Sequence, residues 1–194
     1  IPDSLTTVFH TAAGREVRDG GGVSPDIEVK QERLPNILFY LVRDNLIFDY
    51  ATDYCLKHPA IASAKEFELT DADYEEFKNK VKGADFKYDQ QSEKILNTLK
   101  EAAEFEGYMK DASDEFKALE NKLKHNLDRD LDYFSKDIKK MIAEEIIKRY
   151  YYQEGAIIQQ LKDDKDLDEA VKVLTNPERY QQILSVTAVT AKKE

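Results

Sequence analysis

Seven serines, at positions 4, 24, 63, 92, 113, 135 and 185, are the candidate nucleophiles of this chain. A serine hydroxyl attacks a carbonyl only when a base takes its proton and amide donors receive the developing oxyanion. None of the seven sits in a glycine-flanked elbow, and none is followed three residues later by a lysine. His10, His58 and His125 lie far apart in sequence, in a strand-like run, before a proline and in a charged helical stretch, which favours packing or surface roles over shared metal ligation. Asp128-Arg129-Asp130-Leu131-Asp132 and Asp164-Lys165-Asp166-Leu167-Asp168 imitate the opening of a calcium loop, but Tyr133 and Glu169 stand where its turn glycine belongs. Solvated helix termini account for both runs. Cys55 is the one cysteine, so neither an intramolecular disulfide nor a thiolate zinc cluster can form. No catalytic residue, metal ligand or cofactor is assigned.

Arg149-Tyr150-Tyr151-Tyr152 places a cation beside three aromatics, too many for one buried helix face, and is a candidate partner surface. Partners are narrowed by charge: 29 Lys and Arg against 39 Asp and Glu give a net charge of −10. A surface of that sign repels nucleic acid and anionic lipid. Apolar runs such as Leu46-Ile47-Phe48 are broken by charge well short of a membrane span.

The elements that must position these residues fall into two stretches. Four of the seven glycines lie between residues 14 and 22 and punctuate β-type segments. Thr6 to Thr11 is predicted as one strand, Ala12-Ala13-Gly14 as a turn, and Val23 to Val29 as a second extended segment. The strands are expected to pair with each other, pack on helices or pair with another copy. From Pro35 onward apolar residues recur at helical spacing. One helix is predicted from Pro35 to Lys57, and a second, capped by Thr70, runs to Gly83. Helices from Gln90 to Met109 and around Phe116, Leu119 and Leu123 are expected to pack on the common core. The cleanest stripe, Leu131, Phe134, Ile138, Met141, Ile142 and Ile146, marks a central helix from Asp130 to Tyr152. Three short amphipathic pieces follow Gly155, then a tail expected to fray. The fold class is mainly α, a helical bundle-like domain preceded by a short β-hairpin or β segment.

Thr11-Ala12-Ala13-Gly14-Arg15 and Gly22-Val23-Ser24-Pro25-Asp26-Ile27-Glu28-Val29 resemble the end of the catalytic core of carboxyl-terminal processing, or tail-specific, serine peptidases. That family has a Thr-Pro-Ser-Gly-Arg-like turn followed by Gly-Ile-x-Pro-Asp-x-x-Val. Thr11, Gly14, Arg15, Gly22, Pro25, Asp26 and Val29 match; Ala12, Ala13 and Val23 depart. Phe67 to Phe77 and Ala170 to Leu174 are similar to the C-terminal extension of such proteases in Bacteroidetes-like bacteria.

The resemblance implies two regions: residues 1–33 as the β-rich end of a protease core and 34–194 as a helical C-terminal domain. It implies a Ser-Lys dyad and a substrate-capturing PDZ domain, both upstream of the Gly14-Arg15 turn, so this chain alone is expected to be inactive. The opening Ile1-Pro2-Asp3, without an initiator Met or export signal, fits a chain trimmed from such a parent. Gly14, Arg15, Gly22, Pro25 and Asp26 then have structural roles. The helices are expected to scaffold the missing core, self-associate, or position a protein substrate or adaptor, in the periplasm or cell envelope of a Gram-negative bacterium. The alternative is an independent helical protein-binding module.

Overall fold

The computed structural model describes residues 2, 5–20, 22, 25–30 and 33–185. Among these residues nine α-helices follow a two-stranded antiparallel hairpin, so the chain is mainly α. It divides into two compact units, Arg33–Lys162 and Ile1–Glu32 with Asp163–Glu194.

β1 (Val8–His10) pairs with β2 (Glu16–Arg18), in the register Val8 with Arg18, Phe9 with Val17 and His10 with Glu16. The turn between them is the expected one. Gly14 takes φ 81°, its N–H donates to the Thr11 carbonyl at 2.8 Å, and Thr11 N–H donates to the Arg15 carbonyl at 2.9 Å. Only glycine adopts that left-handed geometry without steric cost. The expected second strand is corrected: Glu16–Arg18 takes the place beside β1, and residues 25–30 carry no strand. Closing a short loop costs less entropy than closing a long one, and Pro25 has no N–H for a ladder. Gly21, Val23, Ser24 and the residues after Ser185 lie outside the described residues.

The helix expected from Pro35 to Lys57 is two, α1 (Asn36–Arg43) and α2 (Leu46–Lys57). Asn45 breaks it at φ 58°, a left-handed conformation that asparagine tolerates better than most residues. α3 (Asp71–Gly83) starts at a reciprocal cap: Thr70 Oγ1 accepts from Asp73 N–H at 3.1 Å, and the Asp73 carboxylate accepts from Thr70 N–H at 3.2 Å. α4 (Gln91–Phe105) and α5 (Ser113–Leu123) are joined through Gly107, at φ 84°, and a 3-10 turn over Tyr108–Lys110. The predicted helix from Asp130 to Tyr152 is again two elements, α6 (Leu127–Tyr133) and α7 (Ser135–Gln160). α8 (Lys165–Leu174) and α9 (Pro177–Leu184) close the described chain, capped by the side chains of Asp164 and Asn176.

α7 folds back on itself. Tyr152 has φ 55° and ψ −152°, and Gln160 Nε2 donates to Glu144 Oε1 at 2.6 Å. A straight helix would set those residues about 24 Å apart. The two limbs meet at Gly155, where an added Cβ would overlap Tyr151 Cβ and lie 2.9 Å from Ile147 Cγ2. Gly155 is therefore inside a helix as a point of close approach, and the break is at Tyr152.

The core of the larger unit joins Ile37, Leu38 and Leu41 of α1, Ile47 and Tyr50 of α2, Phe77 and Val81 of α3, Leu131 of α6, and Ile138, Ile142 and Ile146 of α7. α4 and α5 do not join it, contrary to expectation: α4 buries only Leu96 and Ala103, α5 buries nothing, and neither contributes to that cluster. They pack on each other, with Lys100 Nζ bonded to Glu120 at 2.6 Å.

Candidate functional site

The residues of the N-terminal motif meet at one ion pair. The turn at Gly14 aims the next side chain across the loop, and the Arg15 guanidinium donates to the Asp26 carboxylate beside Pro25. Gly22 also takes positive φ, 77°, with open space where a Cβ would be. Twelve residues of chain are thereby closed into a loop whose two ends are Gly14-Arg15 and Pro25-Asp26. A guanidinium–carboxylate pair of this kind is a structural clasp across the loop.

The Arg149–Tyr152 run is divided by the structure. Arg149 donates to its own helix at Glu145 and reaches α2 at the Phe48 carbonyl and Thr52 Oγ1, both at 3.1 Å, with its guanidinium 4.7 Å from the Phe48 ring centroid. The Tyr150 phenol donates to the His58 carbonyl, and burial pushes its pKa up to about 12, with the neighbouring Cys55 adding to the shift. The Tyr151 phenol donates to the Ala62 carbonyl at 3.1 Å. Two tyrosines thus hold the segment that follows α2 against α7. Tyr152, 78% exposed, faces solvent.

A polar centre that the sequence does not disclose lies at Asp130, 3% exposed. Its carboxylate accepts from Tyr88 Oη at 2.5 Å, Gln90 Nε2 at 2.8 Å and Arg129 at 2.8 Å. A buried carboxylate is tolerable when its lone pairs are filled in this way. Burial, and then the bond to Asp130, push the Tyr88 phenol up. This corrects the expectation that the whole acidic run is solvated: Asp128 and Asp132 are exposed and pair with Lys82 and Lys78, while Asp130 turns inward. α6 is only two turns long; Asp130 lies at i+3 from Leu127, which packs on the core, and next to buried Leu131, and so is on the core side. No periodicity marks that. In the other run Asp164 accepts from Asp166 N–H and Leu167 N–H, both at 2.9 Å, as an N-cap.

The remaining candidates are dispersed. His58 stacks on Tyr54 at 4.0 Å and bonds its carbonyl at 2.8 Å, His125 lies 4.4 Å from the Tyr88 ring, and His10 is in β1. The Ser63 hydroxyl goes to the Glu66 carboxylate at 2.7 Å. Among the described residues no three His, Cys, Asp or Glu converge to hold a metal ion, and no helix is long and apolar enough to cross a membrane. What the structure does offer is exposed apolar surface, with a shallow depression along α4 lined by Gln91, Lys94, Ile95, Thr98, Leu99 and Ala102.

A family model described as "Probable PDZ-protease, C-terminal helical domain" matches residues 37–174, well over half of the chain. The match begins inside α1 and ends on the last residue of α8, leaving the hairpin and α9 outside it. No curated protein and no solved structure matches.

Proposed function

The chain belongs to the family of C-terminal helical domains of probable PDZ-proteases, and on that premise we propose that it is the non-catalytic end of a serine endopeptidase whose Ser-Lys dyad lies upstream. The helical region braces that protease and presents protein-binding surface for self-association, substrate or adaptor. The observation that carries this reading is how the polar side chains are used. Arg15, Asp130, Arg149, Tyr150 and Tyr151 are each committed to intramolecular bonds that hold segments together. Exposed hydrophobics on α4, α7 and α8 are left for recognition. The hairpin supports the same reading, because a lone two-stranded sheet with Val8, Phe9 and Val17 exposed is marginal unless a larger sheet continues it. The periplasmic or envelope location implied by the resemblance goes with the parent protease.

The test compares three proteins on an unfolded substrate with a free C-terminus: the parent chain, the parent lacking residues 34–194, and the 194-residue chain. Expected are cleavage by the parent, impaired processing of the protein substrate by the shortened parent, and none by the chain alone. Activity that copurifies with the isolated chain would overturn the reading. So would a parent gene without a Ser-Lys core, which would leave an independent helical protein-binding module.

A further inference from the structure

The helical hairpin of residues 91–123 is attached to the larger unit at its root and not along its length. α4 and α5 pack on each other and on the 3-10 turn between them, and the two residues that α4 buries, Leu96 and Ala103, lie outside the core cluster. The polar contacts keep the same boundary. Lys100 bonds Glu120 at 2.6 Å and Lys117 pairs with Asp114 at 3.6 Å, both inside the hairpin, while Lys94 reaches back to Asp89 at 2.6 Å. Among the described residues, no side chain from 91 to 123 makes a hydrogen bond, ion pair or ring contact with α1, α2, α3, α6 or α7. The two crossings at the root, by contrast, meet at one place. On the way in, the Tyr88 ring stacks on core Phe86 with centroids 5.4 Å apart, and Tyr88 Oη at 2.5 Å and Gln90 Nε2 at 2.8 Å donate to the same oxygen of Asp130. Asn36 Nδ2 of α1 donates to the Asp89 carbonyl at 2.5 Å. On the way back, His125 lays its ring 4.4 Å from Tyr88, and Asn126 caps α6, which carries Asp130. Both crossings are non-helical, with ψ 128° at Gln90 and ψ 135° at Lys124.

We propose that residues 91–123 are an arm that pivots as one piece on this root, with the Asp130 carboxylate as its clamp. While Tyr88 and Gln90 hold the carboxylate, the arm keeps the angle described; when they let go, it swings with α4 and α5 still packed together. A hinge needs a few non-helical residues that absorb the change in φ and ψ, and the two crossings supply them. The clamp itself stays with the body, because α6 packs on α3 and α7 and its Asp128 and Asp132 pair with Lys82 and Lys78. Opening does not strand a buried charge: Arg129, whose side chain is 67% exposed, remains bonded to Asp130, and water enters beside it. α4 is about 22 Å long, so a turn of about 20° at the root carries the far end of the arm about 8 Å. That end bears Phe105 and Tyr108, 94% and 64% exposed, so the pivot decides where these two rings are presented. The arm does not depend on the proteolytic reading: either can be right with the other wrong.

Distances between pairs of spin labels, measured by pulsed dipolar spectroscopy on the 194-residue chain with Cys55→Ser, test it. Glu115→Cys with Asn79→Cys reads the arm against α3 of the body, and Glu115→Cys with Glu93→Cys reads the arm within itself; all three positions are exposed. With the clamp intact both distance distributions are expected to be narrow. Tyr88→Phe combined with Gln90→Ala removes both donors to Asp130 and should broaden the arm-to-body distribution at least about twofold, leaving the distribution within the arm as it was. Tyr88→Phe alone keeps the ring on Phe86 and removes one donor, and should give an intermediate width. An arm-to-body distribution as narrow in the double variant as in the unaltered root overturns the proposal. So does a broadening of both distributions together, which would mean that the hairpin unfolds and does not pivot.

Discussion

Tyr152 and Gly155 together fold α7 back on itself, and they do it by opposite means. Tyr152 holds φ 55° and ψ −152°, a conformation that costs a residue with a Cβ roughly 1–3 kcal/mol. Its ring is 78% exposed and returns little packing. Gly155 costs helix propensity, about 1 kcal/mol against alanine, but lets the second limb of α7 lie against Ile147 and Tyr151. The two substitutions should therefore have opposite signs. Tyr152→Gly is expected to stabilise by about 1 kcal/mol, since relief of strain exceeds the small loss of contact. Gly155→Ala is expected to destabilise by about 2 kcal/mol, because Tyr151 Cβ is fixed to the backbone and cannot swing away. Urea unfolding followed by circular dichroism reads both. A stabilising Gly155→Ala would mean that the limbs do not fold back as described.

At the scale of the element, α3 is where local chemistry and tertiary packing can be separated. Its first turn is closed by the reciprocal bonds of exposed Thr70 and half-buried Asp73, while Tyr74, Phe77 and Val81 bury its inner face. Thr70→Ala removes the acceptor for Asp73 N–H and should cost about 1 kcal/mol in the same urea experiment, with Thr70→Ser close to the parent. Equal losses in the two variants would show that the methyl group and not the cap matters. Such caps are legible in sequence because they depend on two residues a fixed distance apart. The stripe Leu131, Phe134, Ile138, Met141, Ile142, Ile146 was legible for the same kind of reason; four of the six are fully buried, and Phe134 and Met141 pack half-buried against the core. What could not be read is what depends on the rest of the fold. The stripe of α1 and α2 runs through Asn45 without a glycine or proline to mark the break. Tyr150 and Tyr151 look like surface aromatics until the segment after α2 is laid beside them. Asp130 looks like its exposed neighbours until Tyr88 and Gln90 are brought to it from forty residues upstream. The apolar spacing of α4 was visible, yet not that its larger part faces away from the core.

For the whole molecule, pH acts unevenly on its two sides. Lys80, Lys139 and Lys94 lower the carboxyls of Asp53, Asp71 and Asp89, chiefly by hydrogen bonds. Stability from a lowered carboxyl is present above its unfolded pKa and lost as pH falls through the folded one; all three pairs are on the surface, where water screens them, so the acid side is shallow. The alkaline side is set by phenols inside the structure. Burial, first, pushes up Tyr50, Tyr74 and Tyr88, with Asp73, Asp132 and Asp130 respectively adding to the shift. Tyr50 Oη donates to the Asp73 carbonyl and Tyr74 Oη to the Leu131 carbonyl, each at 2.6 Å. A raised pKa means that the folded state holds the proton more tightly. Its stabilisation is complete below the unfolded value of about 10 and is lost as pH rises toward the folded one. Above about pH 10 each of the three should steepen the fall of stability with pH by about 1.4 kcal/mol per unit. Urea unfolding at a series of alkaline pH values measures the slope, and Tyr74→Phe, which keeps the ring and removes the proton, should flatten it by one such step. A slope unchanged by Tyr74→Phe would mean that this phenol already titrates freely in the folded protein. Because these hydroxyls join α2 to α3, α3 to α6, and the segment before α4 to α6, their ionisation does not fray one edge. It removes the bonds that tie the helices of the larger unit together, so loss of helix signal and appearance of their tyrosinate absorbance should coincide in a single transition.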